Sequence, residues 1–201
     1  MELQNFINDN LDYIDVMKQN NFKVIKYRDL ILIKNKINNE IYSNQDYWKM
    51  YCNGAIIDTK FNKIVCLPPV KSILLEEKNI QDLDITNSEI QYLIDGTMIN
   101  LFYYDNKWTL STRSGIGGYN KWNNKKSFKT MFDECVKDIS FNYDILDKNC
   151  SYTFIMKHIE NRNISMINHN DLFLVEMYRY TDGEIERVLK KDYPKDINTF
   201  K

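Results

Sequence analysis

Ile94-Asp95-Gly96-Thr97 runs into Leu101-Phe102-Tyr103-Tyr104 and then into Trp108-Thr109-Leu110-Ser111-Thr112-Arg113-Ser114. A carboxylate and a glycine sit inside strand-forming residues. Glycine weakens a strand unless something must approach its backbone closely. Asp105-Asn106 separates the two apolar runs and predicts a hairpin of strands 90–104 and 107–114. An acid, bare backbone, hydroxyls and one guanidinium within about twenty residues are what a nucleotide pocket on a sheet needs. The turn decides the geometry. A two-residue loop sets Asp95 and Arg113 on opposite faces, and a three-residue loop sets them on the same face.

Working outward, Leu3, Phe6, Ile7, Leu11, Ile14 and Met17 recur at helical spacing and predict an amphipathic helix over 2–19. Two apolar runs around Tyr27-Arg28-Asp29 predict a hairpin between Phe22 and Ile33. A short helix over Ser43 to Tyr51 is expected to end at Asn53-Gly54. Ala55-Ile56-Ile57 and Lys63-Ile64-Val65-Cys66-Leu67 form a second hairpin, stopped by Pro68-Pro69. Residues 72–88 are polar and acidic and read as a loop. Phe128, Met131, Phe132, Cys135, Val136 and Ile139 predict a helix with Ser127 as its N-cap. Tyr152 to Met156 and Leu172 to Tyr178 read as strands. Hairpins interleaved with isolated helices predict an α+β fold built on a mainly antiparallel sheet with flanking helices. Residues 1–201 are expected to form a single domain.

The net charge of −1 excludes a global attraction to nucleic acid, so any such binding must be local. Cys52, Cys66, Cys135 and Cys150 are far apart and form no C-x-x-C pair. The first twenty residues carry acids and amides rather than a signal sequence. Free thiols in a reducing, cytoplasmic compartment are therefore expected. No apolar run reaches membrane-spanning length, so no membrane partner is expected.

Three blocks, in order, resemble the covalent nucleotidyltransferase superfamily of RNA ligases, DNA ligases and mRNA capping enzymes, closest to the RNA ligase branch. Asn53-Gly54-Ala55-Ile56-Ile57-Asp58 followed by Lys63-Ile64-Val65-Cys66-Leu67-Pro68-Pro69-Val70-Lys71 is similar to the hairpin upstream of the nucleotide pocket. Leu93-Ile94-Asp95-Gly96-Thr97 is similar to the Lys-x-Asp-Gly motif, whose lysine is adenylylated. Phe154-Ile155-Met156-Lys157-His158-Ile159-Glu160-Asn161-Arg162 resembles a later block ending in Asn-Arg. The blocks cover roughly residues 50 to 180.

The resemblance implies a ligase adenylation-domain sheet and a cleft for a nucleoside triphosphate or an RNA end. If active, such a domain would use ATP or GTP with Mg²⁺. The departures count equally. Leu93 stands where the family has its lysine, and leucine offers no nucleophile. The family carboxylate for the ribose hydroxyls falls on Thr153. The acidic metal strand and the lysine pair for the phosphates have no counterpart before Lys201, and no strand follows Lys190-Lys191 to present them. The chain therefore reads as an RNA ligase-like domain that is catalytically impaired on its own. Two alternatives stay open: a non-catalytic module binding RNA or protein through the inherited cleft, and one half of a split ligase or capping enzyme completed by a second polypeptide.

The candidate nucleotide-binding residues are Asp95, Gly96, Thr97, Arg113 and Lys71. Against this, Asp95-Gly96 could be a strand bulge, Arg113 a surface ion pair and Lys71 an ordinary exposed lysine. Lys121, Trp122, Lys125 and Lys126, with Lys129, could hold RNA with the indole as a stacking surface, or could be a solvated loop and helix face. Asn161-Arg162 is expected to shape a turn. His158 and His169 lack partners at zinc-ligand spacing. Cys135, on an apolar helix face, is expected in the core.

Overall fold

The computed structural model describes residues 1–36, 44–72, 86, 93–122 and 126–198. Short turns build its first sheet. Strands β1 (Phe22–Tyr27) and β2 (Leu30–Asn35) pair antiparallel across Arg28-Asp29, with Arg28 at φ 54°. Strands β3 (Ile56–Asp58) and β4 (Lys63–Cys66) follow, giving the order β1-β2-β3-β4. The run Leu30-Ile31-Leu32-Ile33 lacks alternation because β2 is covered on both faces. Ile31 and Ile33 pack with Leu3, Ile7, Met17 and Trp48. Leu30 and Leu32 pack with Ile56 and Cys66 of the same sheet and with Phe102 of the second sheet.

The second sheet has six strands, in the order β10-β9-β8-β5-β6-β7, with every described pairing antiparallel. They are β5 (Thr97–Tyr104), β6 (Lys107–Thr112), β7 (Gly115–Ile116), β8 (Cys150–Lys157), β9 (Asp171–Thr181) and β10 (Glu184–Arg187). The fold is thus α+β, with two antiparallel sheets where the sequence predicted one. Strand β5 starts at Thr97; residues 93–96 are irregular and 90–92 lie outside the described residues.

Helices cover the outer faces. The predicted helix over 2–19 is two helices, α1 (Glu2–Asp9) and α2 (Tyr13–Gln19). Asn10 is extended and its side-chain amide donates to the Phe6 carbonyl at 2.8 Å, capping α1 and leaving Leu11 fully exposed. Residues Asn44–Tyr51 form a 3₁₀ helix. Helix α3 (Phe128–Asp138) begins at Ser127, whose hydroxyl accepts the Thr130 amide at 3.1 Å. Its apolar face lays Met131, Phe132 and Cys135 against Ile99, Tyr152, Phe154 and Met156. Each fully buried aromatic in that contact, such as Phe154, contributes about 1.5–3 kcal/mol by burial.

Between the sheets the second sheet turns polar. Thr153 donates to Asn100 Oδ1 at 2.9 Å, and Asn100 reaches Ser111 at 3.4 Å. Ser151 bonds Tyr180 at 2.8 Å and accepts the Leu67 amide at 3.4 Å. Asn100, Ser111, Ser151 and Thr153 are all buried, and each is paired, as buried polar groups must be. Burial pushes the neighbouring Cys66 thiol up to about 12. All four cysteines are buried and free.

Candidate functional site: a cationic cleft between the sheets

The β5–β6 loop has two residues. Asp105 and Asn106 both have positive φ, 51° and 58°, and Tyr104 pairs with Lys107. Such a turn matches the strand twist and is favoured by Asp and Asn. Asp95 and Arg113 lie beyond the paired residues, one in the irregular segment before β5 and the other in the turn after β6. Arg113 opens onto a cleft of about 490 Å³ lined by Lys34, Gly96, Thr97, Met98, Thr112, Ser114, Asn120, Lys121, Trp122, Phe128 and Ile155. Asp95 is not among these residues.

The cleft is built from distant parts of the chain. Lys34 comes from β2 of the first sheet and donates to Ser114 Oγ at 2.9 Å, tying the two sheets at the mouth. Arg113 and Ser114 form the turn between β6 and β7. Gly54, at φ 112°, lies beneath Arg113, and a Cβ there would stand 3.4 Å from Arg113 Cα. Lys121 and Trp122 precede α3. The Trp122 ring meets Phe128 edge-on at 6.3 Å and keeps about half its surface exposed. The exposed half of the ring offers a flat aromatic face to the cleft. Three cations, Lys34, Arg113 and Lys121, therefore share a cleft with an open indole, and no carboxylate lines it among the described residues.

Asp95 has a different task. Its Oδ2 accepts the Ile164 and Ser165 amides, both at 2.7 Å, and the Ser165 hydroxyl at 3.0 Å. These bonds, the Ser165 amide foremost, hold the Asp95 carboxyl below its ordinary range. Asp95, expected at a nucleotide, fastens the turn after β8 and does not line this cleft. Gly96 is explained by packing. A Cβ there would lie 2.7 Å from the Met156 carbonyl oxygen and 2.7 Å from Ile155 Cγ2. The close approach that the sequence signalled is that of strand β8. Thr97 lines the cleft, and its hydroxyl accepts the Asn161 amide at 2.7 Å, so Asn161 shapes the turn as expected. Arg162 is exposed.

Other expected site residues fall outside the cleft. Lys71 does not line it; its amide donates to the Met50 carbonyl at 3.1 Å. Lys126 bonds Glu134, at 2.9 Å, and Glu160, which raise its pKa, Glu160 foremost. Lys129 pairs with Asp133 at 2.7 Å. Both lysines are ion-paired, and neither Lys126 nor Lys129 lines the cleft. Lys125 lies outside the described residues. His158 is fully buried. Its Nδ1 accepts the Glu160 amide at 3.1 Å, so Nε2 donates to Glu134 at 2.7 Å. Leu93 is 99% exposed and lines a separate depression with Asp95, Ile94, Ile164 and Ser165, which shares only Gly96 with the cleft.

No family model matches the chain. An alignment of 83 positions that covers 38% of the chain is 35% identical to an Immediate-early protein ICP-46 homolog of Invertebrate iridescent virus 3. That match covers 18% of the viral protein, so the chain spans less than a fifth of its relative's length.

Sequence reasoning missed Lys34, Asn120 and Phe128. Lys34 carried a usable signal. It shares strand parity with Leu30 and Leu32, which face the second sheet. No helix among the described residues is long and apolar enough to cross a membrane.

Proposed function

We propose that this chain is an RNA ligase-like nucleotidyltransferase-fold protein that binds a nucleoside triphosphate or a phosphorylated RNA end without covalent chemistry of its own. The convergence of Lys34, Arg113 and Lys121 around Trp122, with no carboxylate facing them, carries the reading. Cations without acid partners suit phosphate, and the half-exposed indole suits a base. The cleft volume lies in the range of small-ligand sites.

The chemistry of the donor set speaks against covalent transfer. Leu93 offers no nucleophile and lies in the neighbouring depression. The position of the ribose carboxylate is Thr153, 1% exposed and bonded to Asn100. For Mg²⁺ the described cleft supplies no carboxylate ligand, and no group of three or more His, Cys, Asp or Glu among the described residues suits a metal. A divalent ion would enter only on the phosphates.

Incubation with radiolabelled ATP or GTP and Mg²⁺ for the gel, with thermal unfolding read in EDTA, tests both halves of the reading. The expected result is nucleotide-dependent thermal stabilisation with no labelled band on a denaturing gel. A labelled band would restore the enzyme. Absence of stabilisation by ATP, GTP and a 5′-triphosphorylated RNA alike would remove the cleft as a nucleotide site. A second reading, a protein-binding module, is favoured by exposed apolar side chains in the depression beside the cleft: Leu93 and Ile164 are each more than nine-tenths exposed.

A further inference from the structure

We infer that the cleft reads the polyphosphate chain of its ligand and not the ribose, and does so without a protein-held metal. The inference rests on the reading of the cleft as a nucleotide site and goes further by naming what is recognised.

The charges in the cleft are concentrated rather than spread along a track. Lys34, Arg113 and Lys121 line one cleft of about 490 Å³. Among the described residues, the lysines that would continue a track for a polymer backbone are occupied: Lys126 by Glu134 and Glu160, and Lys129 by Asp133. A groove for single-stranded nucleic acid needs successive cations along the backbone. A point cluster of three suits the dense negative charge of a di- or triphosphate.

For the sugar the described lining offers neutral groups only, the Asn120 amide and the rim hydroxyls. A ribose hydroxyl is best read by a carboxylate acceptor, and none lines the cleft among the described residues. The hydroxyls at the rim already accept bonds: Thr97 from Asn161 at 2.7 Å, Thr112 from the Ser114 amide at 3.2 Å, and Ser114 from Lys34 at 2.9 Å. Thr153 and Asn100, behind them, are buried and bonded to one another. The Trp122 face accepts any base. Mg²⁺ on the phosphates cancels the charge that Lys34, Arg113 and Lys121 attract, so it competes with the cleft.

Calorimetric titration of the full chain with ATP, dATP and AMP, in EDTA and in excess MgCl₂, tests this. ATP and dATP should bind within about threefold of each other, because no strong ribose contact is lost. AMP should bind roughly tenfold or more weakly, as expected when charge-assisted phosphate contacts are removed. Binding should persist in EDTA and weaken in MgCl₂. Replacing Lys34 and Arg113 together by glutamine should reduce the ATP–AMP difference to less than about threefold. A dATP affinity tenfold or more below that of ATP, AMP binding as tight as ATP, loss of binding in EDTA, or a preference for triphosphate unchanged in the double variant would each overturn the inference while leaving a nucleotide site in place. No binding of any nucleotide would instead overturn the site itself.

Discussion

The Asp95 carboxylate accepts the Ser165 amide at 2.7 Å, joining the irregular segment before β5 to the turn after β8. The acid that most suggested ligand chemistry in the sequence is thereby a fastener between two segments seventy residues apart.

Removing that carboxylate should loosen the turn and spare the cleft. Asp95→Ala loses bonds from two amides and one hydroxyl. We expect a melting temperature lower by about 2–6 °C, with ATP affinity within about threefold of wild type. The pH dependence has a defined sign. The Asp95 carboxyl is depressed below the ordinary value of 3.8, so its contribution is present above that value and is lost as pH falls through the lower folded-state value. The wild-type and Asp95→Ala melting curves should therefore converge in strong acid. Thermal unfolding across pH checks this; a constant difference would contradict it.

Arg113 should behave in the opposite way. It is exposed, lines the cleft and donates no described hydrogen bond that the fold requires. Arg113→Ala should weaken ATP binding roughly tenfold or more by loss of a charge-assisted contact. Its melting temperature without ligand should stay within about 2 °C of wild type. Parallel titration and unfolding measurements separate the two effects.

Restoring family residues by sequence position should fail for a structural reason. Leu93→Lys places its amine in the depression beside Asp95, outside the cleft, and mass spectrometry after incubation with ATP and Mg²⁺ should show no added nucleoside monophosphate. Thr153→Glu would put a carboxylate at a site 1% exposed, beside Asn100. An uncompensated buried charge costs ~3–5 kcal/mol, so this variant should unfold at markedly lower denaturant concentration. A stable Leu93→Lys, Thr153→Glu double variant that forms an adduct would show that the polar layer opens to ligand.

Salt dependence distinguishes the cleft from the helix face. Three phosphate contacts on a short 5′-triphosphorylated single-stranded RNA give a slope of log affinity against log salt of roughly −2 to −3. Lys121→Gln should make that slope shallower. Lys126→Gln should leave it unchanged, because Lys126 is held by Glu134 and Glu160. Filter binding over a salt series reads both variants.

Much of the secondary structure was legible because it is decided locally. Asp105-Asn106 announced a tight hairpin, Ser127 announced the start of α3, and the apolar spacing from Phe128 to Cys135 announced the face it buries. Asp182-Gly183 carried an equally strong hairpin signal, which went unread, and it joins β9 to β10. The error over 2–19 was also local. Helical spacing continued through Leu11, but the Asn10 side chain took the Phe6 carbonyl and ended the helix.

The sequence by itself determined the α+β class, the antiparallel hairpins and the candidate pool of Lys71, Asp95, Gly96, Thr97, Arg113, Lys121, Trp122, Lys125 and Lys126, because turn chemistry and periodicity act over a few residues. Only the tertiary structure decided which of them share a cleft. Arg113 came to line a cleft with Lys34 of the first sheet, while Asp95 was taken up by the turn after β8. The packing of β2 against the second sheet then brought Lys34 within 2.9 Å of Ser114, eighty positions later. Such meetings depend on which faces two sheets bury against each other. That choice is made by the summed burial of many side chains, and no short stretch of sequence records it.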